Sequence, residues 1–251
     1  MKVFAFCLVF VTGVMLVMTA QDFPAWGDAH SAPNQYLSTY YIQHTYRDTA
    51  VPNIVTAVLA DYRGFDTMFE TSVIFCAGLG IAAILSFGPR NPKRRKRLGL
   101  PPSAEGDLII QTTTRLLIPV TQLFALYVIA HGHHSPGGGF QGGVILAASF
   151  ILLSLAYDLN MALSRLSDRL ALLWGNGGLL IYAGIGLICV ALGAHFLEYS
   201  ALHAILPATD SVMARSHAML GVEIGVGFTV MSMLFSIYTQ LVSLGSLEDG
   251  L

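Results

Sequence analysis

The stretch His131-Gly-His-His-Ser-Pro-Gly-Gly-Gly-Phe-Gln-Gly-Gly143 joins two long apolar segments of the chain. Proline cannot continue a helix, and glycine tolerates backbone angles that other residues avoid. The stretch therefore predicts a tight hairpin between two helices. Because imidazole titrates near neutral pH, this corner would keep proton-exchanging groups at the edge of the helices. The residues that we expect to shape the corner are His131, His133, His134, Pro136, Gly137, Gly138 and Gly139.

The composition identifies the broad class of protein. Hydrophobic residues make up 54% of the chain and charged residues 11%, compared with about a quarter charged in soluble domains. The sequence therefore predicts an integral membrane protein. A net charge of −2, with the basic residues concentrated in one short run, argues against a nucleic-acid partner. Cys7, Cys76 and Cys189 lie in apolar segments without Cys-x-x-Cys spacing, so we expect neither a disulfide framework nor a cysteine zinc site.

Uninterrupted apolar runs of membrane-spanning length predict an all-α protein with about six transmembrane helices, because lipid cannot satisfy open backbone groups. The first run could alternatively be a secretory signal peptide, with Lys2 before a short apolar core and Ala20 at the cleavage point. Met18 fits poorly at the small-residue position before that point, so we favour a retained helix. The six runs are 3–20, 67–87, 113–131, 140–158, 174–195 and 217–243.

A dense basic block follows the second run and sets the predicted orientation, because positive loops stay in the cytoplasm. Six spans then place both termini in the cytoplasm, and the loop with Arg165 and Arg169 agrees. The same topology places every histidine at the outer face, where it could exchange protons or simply suit the membrane interface. The basic block is Arg90, Lys93, Arg94, Arg95, Lys96 and Arg97; the histidines are His30, His44, His131, His133, His134, His195, His203 and His217.

The chain divides by pattern into two membrane modules, arranged as two helices plus four. Residues 1–88 hold two spans and an outer loop of about 45 residues, which we expect to be held by partners or laid against the membrane. A basic, proline-containing cytoplasmic linker at 89–104 leads to the four-helix module at 105–245. Residues 246–251 form a C-terminal tail.

Charged residues at the start of the second span form one candidate ion or proton path. Helical spacing brings Arg63, Asp66 and Glu70, which follow Asp61, onto one face as an ion-pair ladder. Ionisable groups that enter a bilayer are costly unless paired or hydrated, and they often mark a path for ions. The alternative is a salt bridge at the helix end that fixes orientation and docks a neighbour.

Glu223 is the sharper candidate, because it lies six residues into the last predicted span, about 9 Å along the helix axis. A carboxylate at that depth needs a partner, a proton or water. The flanking Gly221 and Gly225 favour close helix packing, so we expect Glu223 to point at a packed helix. Glu198, at the outer end of the preceding span, is a weaker candidate because it could lie in water. Gly139, Gly143 and Ala147 predict another close-contact helix face.

Metal binding and catalysis find little support in the sequence. A His131, His133 and His134 site completed by Glu198 or His195 would require the helix end to unwind, so we expect no metal. The chain lacks a nucleophile and base pair, a phosphate-binding glycine loop and a cofactor motif. We therefore expect no cofactor and no enzyme active site within this chain.

Long motifs give the chain a resemblance to a known family. Over about 105–245 it resembles the B subunit of multisubunit Mrp-type Na+/H+ antiporters. Upstream, and fused to it, the module at about 1–88 resembles, through its 53–67 motif, the C-terminal tail of the large A subunit, or the small membrane subunit that replaces this tail in membrane-bound hydrogenases. The motifs are Asn53-Ile-Val-Thr-Ala-Val-Leu-Ala-Asp-Tyr-Arg-Gly-Phe-Asp-Thr67, Thr112-Thr-Thr-Arg-Leu116, the His131–Gln141 corner, Ile181-Tyr-Ala-Gly-Ile-Gly-Leu187, Phe196-Leu-Glu-Tyr199 and Gly221-Val-Glu-Ile-Gly-Val-Gly-Phe-Thr-Val230.

The resemblance implies a non-catalytic subunit of a multisubunit cation/proton antiporter in the cell membrane, working with large antiporter-like and small membrane subunits and with Na+ and H+. The proton-conducting subunits of that superfamily use lysines at mid-membrane, whereas Lys2, Lys93 and Lys96 lie outside the predicted spans. Asp61, Arg63, Asp66, Glu70 and Glu223 would then line a passage at subunit boundaries. Two alternatives remain: the same module in a redox-driven complex, such as a membrane-bound hydrogenase or a complex I-like membrane arm, and a purely structural scaffold.

Overall fold

The computed structural model describes residues 2–86, 108–206, 210–243 and 245. Within these residues the secondary structure is helical, and six helices are long and apolar enough to cross a membrane. The predicted fold class, an all-α protein with six transmembrane helices, is confirmed. The predicted linker at 89–104, with its basic block, and the tail at 246–251 lie outside the described residues.

The long helices carry the fold, and shorter helical turns connect them. The α-helices of the described residues are α1 Lys2–Ala20, α2 Ser38–Thr49, α3 Ile54–Ala57, α4 Gly64–Ser86, α5 Leu108–Ala130, α6 Gly139–Ala156, α7 Leu159–Arg165, α8 Asp168–Ala191 and α9 Ser211–Ser243. Two π-helical turns cover Pro33–Leu37 and Val58–Tyr62, and a 3-10 helix covers Tyr199–Ala204. The candidate spans are α1, α4, α5, α6, α8 and α9.

The backbone divides into two compact units, Met1–His44 and Thr45–Leu251. In the first unit, α1 is predominantly apolar after Lys2, and none of its side chains is buried. A helix that is apolar on every side and uncovered suits lipid or neighbouring helices.

The predicted long loop before the second span is partly wrong, because it contains helical structure. Helix α2 lies within this predicted loop and ends at Thr49. Helix α3 and the π-helical turn Val58–Tyr62 follow it. These elements are too short or too polar to stand out as apolar runs of membrane-spanning length. Asn53 begins α3, where its side-chain oxygen accepts a hydrogen bond of 3.1 Å from the backbone nitrogen of Val55.

Helix α9 is the centre of the second unit, and 72% of its most apolar window is buried. It packs against α4, α6 and α8, and Val230, Met233 and Phe235 are fully buried in its interfaces. Most side chains in this window therefore face the protein interior.

Spans begin earlier than the apolar runs predict, and the difference is largest, six residues, in α8 and α9. Helix α8 begins at Asp168 after Ser167, whose hydroxyl accepts a 3.3 Å hydrogen bond from the backbone of Leu170. Helix α9 begins at Ser211, where the Asp210 carboxylate accepts a 2.7 Å hydrogen bond from the backbone of Met213. Polar capping residues thus extend both helices beyond their apolar segments.

The longer α9 corrects the predicted position of its acidic residue along the helix. Glu223 lies twelve residues after Ser211, about 18 Å along the axis, instead of six residues and about 9 Å. His217, predicted at the outer end of the span, is also within α9.

Glycines bring α6 and α8 very close to α9, on opposite sides. A methyl group at Gly143 of α6 would lie 2.5 Å from the carbonyl oxygen of Gly227, and one at Gly139 would collide with the carbonyl oxygen of Glu223. On the other side, a methyl group at Gly225 would lie 2.6 Å from the carbonyl oxygen of Gly178 in α8. The close-contact face predicted for α6 is confirmed at both of its glycines.

Two buried tyrosines fix the first residue of α4 and the segment that precedes it. The hydroxyl of Tyr182 donates a 2.6 Å hydrogen bond to the carbonyl oxygen of Gly64. The hydroxyl of Tyr199 donates a 3.0 Å hydrogen bond to the carbonyl oxygen of Ala60. Burial raises the pKa of Tyr199 far above its usual range, so this hydroxyl stays protonated and keeps donating. The segment is therefore held against α8 and the 3-10 helix.

Candidate functional site

The corner between α5 and α6 is a tight turn built on glycine. The backbone nitrogen of Ser135 donates a 3.0 Å hydrogen bond to the carbonyl oxygen of His131, which turns the chain at the end of α5. Gly137 and Gly138 follow with φ angles of 132° and 148°, which L residues rarely adopt. The predicted hairpin is confirmed, and its strained positions are glycines for a steric reason.

The carboxyl group of Glu223 lies directly against this corner. Its residue is 7% exposed. A methyl group at Gly132 would lie 2.7 Å from Oε2, and one at Gly138 would collide with Oε1. Only glycine at these two positions lets the corner backbone approach the carboxyl group so closely. Glu223 therefore points at a closely packed element, as predicted, although that element is the corner and the start of α6 and not the α8 face that Gly225 touches.

The segment before α4 holds the corner in place. Asn53 Nδ2 donates hydrogen bonds to the carbonyl oxygens of Gly132 and Ser135, at 2.7 and 2.8 Å. The Asn53 backbone nitrogen also donates a 3.0 Å bond to the carbonyl oxygen of His133. The hydroxyl of Thr56 lies 2.7 Å from the carbonyl oxygen of Gly132 and 3.4 Å from Oε1 of Glu223. The two predicted modules thus meet at the acidic side chain.

Sequence reasoning did not single out Asn53 and Thr56 as site residues. Both lie in the 53–67 motif, and neither carries a charge that would mark it as an ionisable group in a span. A polar amide that caps a very short helix beside an apolar bundle is the signal that could have marked Asn53.

His133 is the titratable neighbour of Glu223. Its Nε2 lies 3.8 Å from Oε2 of Glu223, and both side chains are about nine-tenths buried. Neither of these two atoms has a hydrogen-bond partner among the described residues. The other ring nitrogen, Nδ1, lies 3.5 Å from the hydroxyl oxygen of Ser216. A buried carboxyl group beside a buried imidazole is costly unless the pair carries a proton or another positive charge.

Burial lowers the pKa of His133 below its ordinary value of 6.5, and the positive charges that His134 and His217 can carry lower it further. Both of these histidines are exposed. His133 is thus a largely buried imidazole between an exposed histidine pair and a buried carboxyl group.

The histidines that the sequence offers as metal ligands, and for which we expect no site, do not converge. His131 stacks on Tyr127 with ring centroids 4.3 Å apart, while His133 turns toward Glu223. Within residues 2–86, 108–206, 210–243 and 245 the structure holds no group of three or more potential metal ligands. Glu198 is exposed, and its carboxylate accepts a 2.9 Å hydrogen bond from the backbone nitrogen of His195, so it closes its own turn.

Asp61 is paired with a residue that sequence reasoning missed. Arg215 donates to it from Nε and Nη2, both at 2.8 Å. The Arg215 guanidinium also lies 5.8 Å from the ring centroid of Tyr62, whose hydroxyl donates to Asp48 at 2.9 Å. Burial alone would raise the pKa of Asp48, but bonds from Tyr62 and Arg47, with the charges of both arginines, lower it. This cluster ties the segment before α4 to the beginning of α9.

The predicted ladder at the start of α4 lies on the surface. Arg63 Nη2 lies 2.7 Å from Oδ2 of Asp66, and both side chains are 53% exposed. Glu70 is also exposed. The structure thus separates the acidic candidates: Glu223 lies under the corner, Asp61 lies in the Arg215 cluster, and Asp66 and Glu70 face outward.

Two family models match the chain. The model described as "Domain related to MnhB subunit of Na+/H+ antiporter" matches residues 109–236, and the MbhE model, which describes the E subunit of MBH, matches residues 8–94. The corner, α6, α8 and Glu223 fall in the first range, and Asn53, Thr56 and Asp61 fall in the second. The contacts at Glu223 therefore join the two matched regions.

Curated relatives agree with these models. The B subunit of the Na(+)/H(+) antiporter of Bacillus subtilis (strain 168) is 41% identical over 102 residues, which are 40% of this chain and 70% of that protein. The probable A/B subunit of a K(+)/H(+) antiporter of Rhizobium meliloti (strain 1021) is 29% identical over 218 residues, or 79% of this chain. The chain spans 22% of the length of the Rhizobium protein.

Two solved structures have a similar fold. A chain in the structure of the membrane-bound sulfane sulfur reductase (MBS), an archaeal respiratory membrane complex, matches with a TM-score of 0.65 and 28% identity, covering 96% of this chain and 97% of that chain. A chain in the Mrp complex from Dietzia sp. DQ12-45-1b matches with a TM-score of 0.65 and 22% identity, covering 98% of this chain and 26% of that chain.

Proposed function

Because the chain belongs to the family of domains related to the MnhB subunit of Na+/H+ antiporters, we propose that it is a non-catalytic membrane subunit of a multisubunit Mrp-type cation/proton antiporter. It would lie in the cell membrane with both termini in the cytoplasm, beside large antiporter-like and small membrane subunits. The transported species would be H+ and Na+ or a similar cation.

The observation that carries this proposal is the burial of the Glu223 carboxyl group where the two matched regions meet. A carboxyl group inside a membrane bundle is costly, and its retention is explained if a mobile positive charge must approach it. His133 lies beside it with an imidazole that can bind or release a proton, and the Thr56 hydroxyl donates a 3.4 Å hydrogen bond to its carboxyl group. Glu223 is therefore the residue that we place in the ion or proton passage.

The other acidic candidates receive roles that follow from their contacts. Asp61 is neutralised by Arg215, so it holds the two matched regions together and is not free to bind a transported ion. Arg63, Asp66 and Glu70 are exposed, so they would act where a neighbouring subunit covers them. Lys2 is the first residue of α1, so it is not a buried mid-span lysine. The protein would need its partners to complete transport.

A second candidate function is the same role in a redox-driven ion-translocating complex. The nearly complete mutual coverage with a chain of the sulfane sulfur reductase complex favours it. The composition of the native complex separates the two functions. Co-purifying iron–sulfur or metal-binding subunits would support the redox-driven assembly, and antiporter-like subunits without them would support the antiporter.

The passage at Glu223 is tested by the Glu223→Gln variant in the native complex, reconstituted in vesicles. We expect the complex to assemble and its cation-dependent proton exchange to fall roughly tenfold or more, because an amide cannot bind and release a proton. Asp22→Asn is the control, since Asp22 is an exposed carboxylate in the first unit. Unchanged exchange in an assembled Glu223→Gln complex would instead support a purely structural scaffold.

A further inference from the structure

Two facing atoms in the interior suggest how the site works, given the proposed function. Oε2 of Glu223 and Nε2 of His133 are 3.8 Å apart, and both lack a hydrogen-bond partner among the described residues. We infer that Glu223 and His133 share one exchangeable proton, which reaches them from the exposed histidines His134 and His217. The ligand of this site is then a proton and not a metal cation.

The chemistry of the pair favours a proton. Hard cations such as Na+ select several oxygen ligands, whereas a ring nitrogen is a poor ligand for them and a good proton acceptor. The space is also small, because a methyl group at Gly132 would already lie 2.7 Å from Oε2 and one at Gly138 would collide with Oε1. A proton needs no coordination shell and fits this enclosure.

The charges around the pair support a single proton. From the corner, the titratable groups that face the pair are His133 itself and His134; from α9 they are Glu223 and His217. The segment before α4 contributes Asn53 and Thr56, which are uncharged. One proton makes the pair electrically neutral overall, either as carboxylic acid with imidazole or as carboxylate with imidazolium. Burial favours this state, because a buried pair without net charge costs less to remove from water.

Ser216 positions the imidazole for transfer. Its hydroxyl oxygen lies 3.5 Å from Nδ1 of His133. When Nδ1 carries the ring hydrogen and donates it to Ser216, Nε2 presents a free lone pair to Glu223. Ser216 is therefore a positioning residue, which acts by setting the tautomer of the His133 ring.

The transfer step balances with one proton. The O–H bond at Oε2 of Glu223 breaks and an N–H bond forms at Nε2 of His133, which leaves a carboxylate and an imidazolium. Closing the 3.8 Å separation to hydrogen-bond length requires a shift of about 1 Å. The imidazolium then passes its proton on toward His134 or His217, and the reverse sequence reloads the carboxylate.

Infrared difference spectroscopy of the purified native complex, titrated between about pH 5 and pH 9, tests the pair across the ordinary range of histidine. We expect a protonated carboxyl band that is lost in Glu223→Gln. In His133→Asn, which keeps a polar side chain that does not titrate, the midpoint of this band should move by about one pH unit or more, a tenfold change in proton affinity. His203→Asn is the matched control, because His203 is exposed and bonded to its own helix turn.

Two results would overturn the pair. One is a spectrum without a band that depends on Glu223. The other is a His133→Asn midpoint within about 0.3 pH unit of the wild-type midpoint, a change of only about twofold in affinity. If the Glu223→Gln complex fails to assemble, Glu223→Asp replaces it, because this variant keeps a carboxyl group but has one methylene fewer. The carboxyl band of the Glu223→Asp complex must then differ from the wild-type band in frequency and midpoint.

The spectroscopic result is independent of transport. The band could titrate and depend on His133 while the Glu223→Gln complex still exchanges ions normally. That result would support the shared proton and reject Glu223 as part of the ion passage. If the Glu223→Gln complex loses exchange but no such band is found, the result would support the role of Glu223 in the passage and reject the shared proton.

Discussion

Arg215 on α9 donates two hydrogen bonds of 2.8 Å to Asp61, which lies 154 residues earlier in the chain. The two side chains are 24% and 10% exposed, so the pair is largely removed from water. Such pairs add little net stability compared with apolar packing, but removing one partner leaves a buried charge uncompensated. The pair therefore fixes the register of the segment before α4 against α9.

Asp61→Asn should destabilise the folded protein by about 3–5 kcal/mol, because the Arg215 guanidinium then stays buried without its counter-charge. The yield of assembled complex on native gels measures this loss. Asp66→Asn is the control, since its partner Arg63 is half exposed, and surface pairs are worth about 0–1 kcal/mol. Equal yields for the two variants would contradict the assigned role of Asp61.

The stability of the complex should fall as the pH drops, partly because of His133. Its pKa is lowered in the folded state by burial, so between that value and about 6.5 the unfolded chain binds more protons than the folded one. The stabilisation is complete above the unfolded value of about 6.5 and is lost as the pH falls from there through the lower folded-state pKa. Thermal denaturation at mildly acidic and neutral pH measures the slope. His133→Asn should flatten it and His203→Asn should not; an identical slope in all three proteins would be inconsistent with a buried, neutral His133.

Gly139→Ala should separate α6 from α9, since the added methyl group would collide with the carbonyl oxygen of Glu223. Overpacking of this kind costs about 1–3 kcal/mol. Gly184→Ala on α8 is the matched control, because its added methyl group meets nothing within 4 Å. Thermal stability of the purified complex compares the two, and a Gly139→Ala complex as stable as the control would show that the contact is not close in the native assembly.

Asn53→Asp should impair assembly more than Asn53→Ala. Nδ2 donates to two carbonyl oxygens of the corner, those of Gly132 and Ser135, and a carboxylate would place negative charge against both. Alanine only removes the bonds, each worth about 1 kcal/mol, and leaves the corner to find other partners. Limited proteolysis at the corner, together with complex yield, reports on the difference. Greater damage from alanine would mean that side-chain bulk, and not donation, holds the corner.

The sequence predicted the membrane spans because a long apolar run in a membrane protein has few alternatives to a helix. It could not predict where α8 and α9 begin, since Ser167 and Asp210 extend them through capping bonds outside the apolar runs. The tight corner followed from its glycines and proline, whose backbone preferences are local.

The partners within the site could not be predicted in the same way. Spacing along one helix identified Glu223 as an exceptional residue, but its neighbours His133 and Thr56 lie 90 and 167 residues away in the chain. The ion pair of Arg215 could not be predicted for the same reason, because its partner Asp61 is on a different element. Helical spacing placed Arg63 and Asp66 together, yet it could not show that they face outward.

The double-mutant cycle of Glu223→Gln and His133→Asn tests the central claim most directly, through the initial rate of cation-dependent proton exchange in vesicles containing the assembled complex. Residues that act as one unit lose their function together. We therefore expect the double variant to be within about twofold of Glu223→Gln alone, although His133→Asn by itself is strongly impaired. Losses that multiply in the double variant, or a His133→Asn complex with the wild-type rate, would contradict a shared proton.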